Sequence, residues 1–190
     1  MAYNILGVVP GHNGSACVIS DGELVYFLEE ERLSRVKRDS NPFRVMIDIC
    51  LKYQIDEIVI SGTNSSTEFQ LLTASNETPY QSLIRKFYPN IKITYLNHQH
   101  HLCHILSSFY NSGFKEAIGL VIDAAGSLNP SKPSQITQWE SESIFKLSYN
   151  QEIKNVYKRY GTYSQNPKFP SLIGIGRTYG GITYGLGFSP

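Results

Sequence analysis

Cysteine is scarce in this sequence. Three occur among 190 residues (Cys17, Cys50 and Cys103), odd in number and in no CxxC pair. That pattern excludes a disulfide framework and a thiolate zinc ribbon, and it is what reduced thiols in a cytoplasmic protein look like. The sequons at Asn64-Ser65-Ser66 and Asn76-Glu77-Thr78 then read as chance matches. No apolar run approaches the ~20 residues of a membrane helix. The opening Met-Ala-Tyr-Asn-Ile-Leu-Gly has no basic leader and no cleavage site, so no signal peptide is expected. Excess charge is missing too. The formal net charge is +1, and nothing in it demands a nucleic acid or an anionic membrane as partner. A GxxxxGK[ST] phosphate loop is absent. What remains, with 41% hydrophobic and 17% charged residues, is the composition of a folded domain rather than a disordered chain.

Along that chain, three short apolar runs come first: Ile5 to Val9, Ser15 to Ile19 and Leu24 to Leu28. Pro10-Gly11 and Asp21-Gly22 stand between them, which predicts a β-meander. The first run does not alternate, as expected of a buried central strand. Glu29 to Arg38 reads as a strand end and a charged loop. A helix is expected after Asn41-Pro42, a strand at 55–60, a helix at 80–88, a strand at 91–96 and a helix at 98–111. Ser61 to Pro79 is polar and irregular. The pattern then restarts with a buried-type strand at 117–122, two alternating strands at 135–140 and 144–149, another at 156–160, and a helix at 171–186. Strand, glycine turn, strand, turn, strand thus occurs twice, at Tyr3–Glu29 and at Glu116–Tyr149. This is an α/β protein with a duplicated unit. The expected division is 1–115 for the first half and 116–190 for the start of a second half cut short.

Histidine is rare but concentrated. Five are present, and four fall within seven residues: His98, His100, His101 and His104. On a helix, residues i and i+4 share a face, so His100 and His104 can present ring nitrogens to one metal ion. Leu102, Ile105, Leu106 and Phe109 form the opposing apolar face, and His101, at its edge, is expected to pack. Imidazoles alone do not choose among zinc, iron, nickel and copper. Asp123 ends the strand Gly119-Leu-Val-Ile-Asp123, where open α/β sheets gather ligands. It could complete a His–His–Asp site, hold a magnesium–nucleotide, or simply shape a turn. Gly11-His12-Asn13-Gly14-Ser15 could bring backbone N–H groups to a phosphate, with His12 as donor or acid/base, or be a plain hairpin turn. Arg32, Arg35 and Lys37 could reach an anion, but a solvated loop or helix start is the plainer reading. Glycines 174, 176, 180, 181, 185 and 187 weaken the last helix and suit packing against a missing partner.

Taken together, Ile5-Leu-Gly…Gly11-His-Asn-Gly-Ser-Ala16, Asp21-Gly22, Glu29-Glu-Glu-Arg32…Arg35-Val-Lys37, His100-His-Leu-Cys-His104…Ser108-Phe-Tyr…Ser112-Gly-Phe114, Val121-Ile-Asp123 and Tyr184-Gly-Leu-Gly-Phe188 resemble the N-terminal part of the O-carbamoyltransferase family. This family includes the nodulation-factor and antibiotic-tailoring carbamoyltransferases. The resemblance implies an actin-like, sugar-kinase-like (ribonuclease H-like) fold of two related halves. It implies transfer of a carbamoyl group to a hydroxyl of a small acceptor through carbamoyl-adenylate, made from carbamoyl phosphate and ATP by a further domain. It also implies a bound Fe2+ or another divalent metal, with His100, His104 and Asp123 as ligands. His12 would then orient the carbamoyl group, and Gly11 and Asn13 would contact the cofactor. The chain departs from the family at Asp123-Ala-Ala-Gly126, where Asp-Gly-x-Gly is usual, and at Arg38, where His is common. The downstream nucleotide-binding segments and the adenylate-forming domain are expected from outside the sequence or from a complementary chain. Two other readings are a tRNA threonylcarbamoyl-transferase-like subunit, which the absence of a basic stripe disfavours, and a non-catalytic module that docks to a complementary chain.

Overall fold

The structure, a computed structural model, describes residues 2–11, 13–61, 79–96, 98–129, 138–162 and 174–188. It is mixed α/β, with two sheets and five helices among the described residues. The chain forms two compact units, 1–97 and 98–190.

In the first unit the expected meander is present: β1 (Asn4–Val9), β2 (Ser15–Ser20) and β3 (Glu23–Glu29) run antiparallel. The charged run after β3 is not a loop. It opens with a short helix, α1 (Glu30–Ser34), in which Glu30 and Glu31 are buried. Next come α2 (Phe43–Lys52), β4 (Glu57–Ser61), α3 (Pro79–Phe87) and β5 (Lys92–Leu96). β4 pairs parallel to β1 and β5 parallel to β4, so the sheet order is β3-β2-β1-β4-β5. β1 is therefore central, as its unbroken apolar run requires. Register sets the core. Val18, Leu6 and Ile58 form one row across the sheet, and Ala16, Val8 and Ile60 the next. Val45, Met46 and Ile49 of α2 and Tyr80, Leu83 and Ile84 of α3 join both rows in one buried cluster.

The second unit begins with α4 (His100–Ser112) and continues through β6 (Glu116–Ile122), β7 (Gln138–Ser148), β8 (Lys154–Thr162) and α5 (Ile175–Gly185). β6, β7 and β8 form a second antiparallel meander. The strands expected at 135–140 and 144–149 are one continuous strand, β7, because a register shift between Glu140 and Glu142 absorbs Ser141 without ending the pairing. Positions 135–137 lie outside the described residues. The division falls at 97/98 rather than 115/116 because α4 packs on β6 and β7: Ile105 and Phe109 share a buried cluster with Val121, Phe145 and Leu147. Gly119 makes that packing possible, since a Cβ there would lie 2.4 Å from Cγ1 and Cδ1 of Ile105.

Like α1 with its N-cap Glu29, the longer helices α2, α4 and α5 lack a side-chain cap from their own N-cap residues, Pro42, Gln99 and Gly174. Buried glutamates from other elements substitute. Glu30 accepts from the N–H groups of Arg44 and Val45 in α2, Glu140 from that of His101 in α4, and Glu142 from that of Ile175 in α5. A carboxylate at a helix N-terminus answers both the orphan N–H groups and the macrodipole. Sequence patterning looks for caps within three residues of the helix start and so misses all three.

Candidate metal centre

α4 carries His100 and His104 on one face because its apolar face is committed to β6 and β7. His101 is fully buried. Its Nδ1 shares a 2.8 Å hydrogen bond with Ser143 Oγ, and its ring lies against Gly126. Asp123 follows the last residue of β6, and its N–H donates to the carbonyl of Ser141 (3.1 Å). These placements bring three donors together. His100 Nε2 lies 3.0 Å from Asp123 Oδ2 and 2.9 Å from His104 Nε2. All three donor atoms fall within 4.8 Å of one another.

The donor set suits a divalent ion. Two donors held ~2.1 Å from one ion at a right angle lie about 3.0 Å apart, which is the separation seen at His100. Two imidazoles and a carboxylate form the ligand set of many non-haem Fe(II) sites, and zinc accepts the same donors. At Asp123 and His104 the electrostatics favour the protonation states that ligate. The hydrogen bond from His100, with smaller help from the Ala124 N–H and both imidazoles, pushes the Asp123 carboxyl down to about 2. Desolvation, then repulsion from His100, lowers the pKa of His104 and keeps its ring neutral at pH 7. Beside the cluster lies a cavity of about 240 Å3 lined by His104, Ile105, Ser108, Asp123 and residues 120–122 of β6. It is smaller than a drug-sized pocket and suits one small group.

The loop Asp123–Ser127 is held at both ends on β7, by Asp123 N–H to Ser141 O and by Gly126 N–H to Glu140 O. Ser127 Oγ accepts from the N–H of His100 at 3.0 Å, tying the loop to the helix. On the far side, α5 packs on the loop backbone. A Cβ on Gly176 would lie 2.8 Å from Asp123 O, and Arg177 Nε donates to Ala124 O. Sequence reading found the three donors but missed Ser127, Glu140 and Glu142, which are distant in sequence from what they hold.

The other expected site residues lie in the first unit. His12 falls outside the described residues. Gly11 and Asn13 both have positive φ, as a tight turn needs. The N–H of Gly11 donates to Ser40 O and that of Gly14 to Asp39 O. Those two amides are thus used inside the protein, and a phosphate cradle in this turn would need other donors. Lys37 and Arg32 pair with the buried Glu31, so the run is not solvated throughout.

No family model matches the chain. A curated relative does: Nodulation protein NolNO of Sinorhizobium fredii (strain NBRC 101917 / NGR234) is 31% identical over 136 residues, a match covering 60% of this chain and 20% of that protein. The chain resembles the O-carbamoyltransferase family. It spans about one fifth of the length of this relative, 20%. Among solved structures, the protease–reverse transcriptase of prototype foamy virus aligns at a TM-score of 0.26 and 12% identity, over 87% of this chain and 25% of that one. A likeness at that score carries no argument about fold. No helix among the described residues is long and apolar enough to cross a membrane.

Proposed function

We propose that the chain is the N-terminal, metal-binding portion of a carbamoyltransferase, and that its two units correspond to one actin-like half and the opening of a second. The observation that carries this reading is the His100–His104–Asp123 cluster, built from the residues that the family resemblance names as ligands. The first unit's meander, extended by two parallel strands, and the second unit's meander support the duplicated α/β reading.

In the proposed reaction the acceptor hydroxyl oxygen attacks the carbamoyl carbon of carbamoyl-adenylate. The new C–O bond forms, AMP leaves with its phosphate oxygen, and the hydroxyl proton is lost. An Fe2+ or similar ion held by the three donors would polarise the carbamoyl carbonyl and acidify the acceptor hydroxyl. Asp123 stays ionised and His104 neutral for that purpose. The small open cavity beside them, with Ile105, Leu120 and Ile122 among its walls, would seat the carbamoyl group. By the family resemblance, His12 would orient that group and Gly11 and Asn13 would contact the adenylate. By the same resemblance, carbamoyl phosphate, ATP and the adenylate-forming step belong to a further domain or a complementary chain. Cytoplasmic location accords with three cysteines that form no disulfide.

The test supplies carbamoyl-adenylate, generated from carbamoyl phosphate and ATP by the complementary portion of the protein, and follows AMP release with a hydroxyl acceptor. Release should require metal and be lost in His100→Ala. Equal release from the variant would overturn the reading. α5 favours a second reading, a docking module without catalysis, because it buries no residue and exposes Tyr179, Ile182 and Tyr184. Under that reading the chain binds its complement while His100→Ala changes nothing else.

A further inference from the structure

We propose that Glu140 and Ser127 are positioning residues for the metal centre: together they lock the helix that carries His100 and His104 to the loop that carries Asp123. The inference rests on the metal-site reading above and concerns residues that neither the spacing of the histidines nor the family motifs single out.

Each of the two ligand-bearing segments has its own support. Asp123 is held at the end of β6 through its own N–H, and α4 is held on β6 through Ile105 and Phe109. The first turn of α4 decides where His100 Nε2 lies, and fully buried His101 of that turn is also bonded to Ser143 of β7 (2.8 Å). The first turn has no cap from Gln99 and no acidic residue of its own. Its N–H groups are taken by the Asp123 loop and its anchor instead. His100 N–H goes to Ser127 Oγ (3.0 Å) and His101 N–H reaches Glu140 Oε2 (3.5 Å).

The same Oε2 accepts the N–H of Ser127 at 3.0 Å, while Oε1 accepts from Lys158 Nζ of β8. The Ser127 and Glu140 backbones also bond each other, by Glu140 N–H to Ser127 O (2.9 Å). One carboxylate, 1% exposed, therefore joins the loop end, the helix start and the third strand. A buried charge is costly unless its bonds are met, and here each oxygen has a partner. An apolar pair in place of Glu140 and Lys158 would remove two buried charges but leave the N–H groups of Ser127 and His101 without that acceptor. The bonds that such a pair forfeits are those that set the His100–Asp123 separation. Groups that orient metal ligands without touching the ion typically change affinity 10–100-fold when removed.

The test uses Co2+ as probe ion with the full 190-residue chain. It compares wild type, His100→Ala, Ser127→Ala, Glu140→Gln and the double variant Glu140→Leu/Lys158→Met. Calorimetry gives affinity, the visible Co2+ absorption band reports the ligand arrangement, and thermal unfolding reports the fold. Ser127→Ala and the Leu/Met pair leave one and two amides without their acceptors, so both should unfold below the wild-type midpoint but remain folded at about 25 °C, and should bind Co2+ about tenfold or more weakly with an altered band. Glu140→Gln, which keeps an acceptor oxygen, should recover part of the loss. The positioning role is overturned if Ser127→Ala, which tests it even should the pair fail to fold, binds with wild-type affinity and band. If wild type and His100→Ala bind equally weakly, the metal centre itself is wrong and the positioning role falls with it.

Discussion

Gly119→Ala tests whether α4 is seated by direct contact with the backbone of β6. The added Cβ would stand 2.4 Å from Cγ1 and Cδ1 of Ile105 and 2.8 Å from Cδ1 of Leu147. Carbon atoms prefer a separation of ~3.5–4.0 Å, so Ile105 must retreat by roughly an ångström and take α4 with it. Overpacking of this kind costs about 1–3 kcal/mol. Loss of glycine freedom in the unfolded chain returns about 0.4–1 kcal/mol. The net expectation is a destabilisation of roughly 1–2 kcal/mol, or a drop of several degrees in the unfolding midpoint of a unit this size. Trp139 is the sole tryptophan, so its fluorescence follows the second unit alone. The partner test is Ile105→Ala, which by itself should cost about 2–5 kcal/mol. In that background Gly119→Ala should be neutral or stabilising, giving a coupling of about 1 kcal/mol or more. Equal costs in both backgrounds would refute the contact. Because His104 precedes Ile105, Gly119→Ala should also weaken metal binding, while the double variant regains part of it.

Three further outcomes follow from the geometry. With chelator present, the ionised Asp123 stabilises the fold: its folded pKa of about 2 lies below the unfolded carboxylate value. That contribution is complete above about pH 4, is lost as the pH falls toward 2, and should be missing from the acid limb of Asp123→Asn denaturation curves. Glu30 is fully buried and serves two amides of α2 as well as Arg44. Glu30→Ala should therefore cost roughly 2–4 kcal/mol in urea unfolding, since each buried amide left unpaired costs about 1–3. Arg44→Ala, which removes a largely exposed partner, should cost about 1 kcal/mol or less. Gly176→Ala would force α5 off the Asp123 backbone, and faster proteolysis near α5 than in wild type checks this.

Much of the site was legible because it obeys local periodicity. An i, i+4 histidine pair opposite a leucine–isoleucine–phenylalanine face, and an aspartate at the end of an apolar strand, are readable from spacing alone. Their convergence is not, because it depends on how Gly119 lets α4 sit on β6. The meanders were legible from turn residues, and β1 as a central strand from its unbroken apolar run. α1 was not, because its two leading glutamates look solvated until the N-terminus of α2 and the segment 37–38 are placed around them. β7 read as two strands because Ser141-Glu142-Ser143 is polar. Those residues are buried, and they face helix ends and His101 rather than water. The start of the second compact unit at 98 was not legible either: α4 follows the first sheet in sequence but packs on β6 and β7.

The central claim is that His100, His104 and Asp123 hold one divalent ion. Its most direct test is anaerobic Fe2+ binding to the full chain, with wild type compared to His100→Ala, His104→Ala and Asp123→Asn. One ion per wild-type chain, and at least a tenfold loss in each variant with the fold retained, is the expected result. Unchanged iron binding in all three variants would contradict the account.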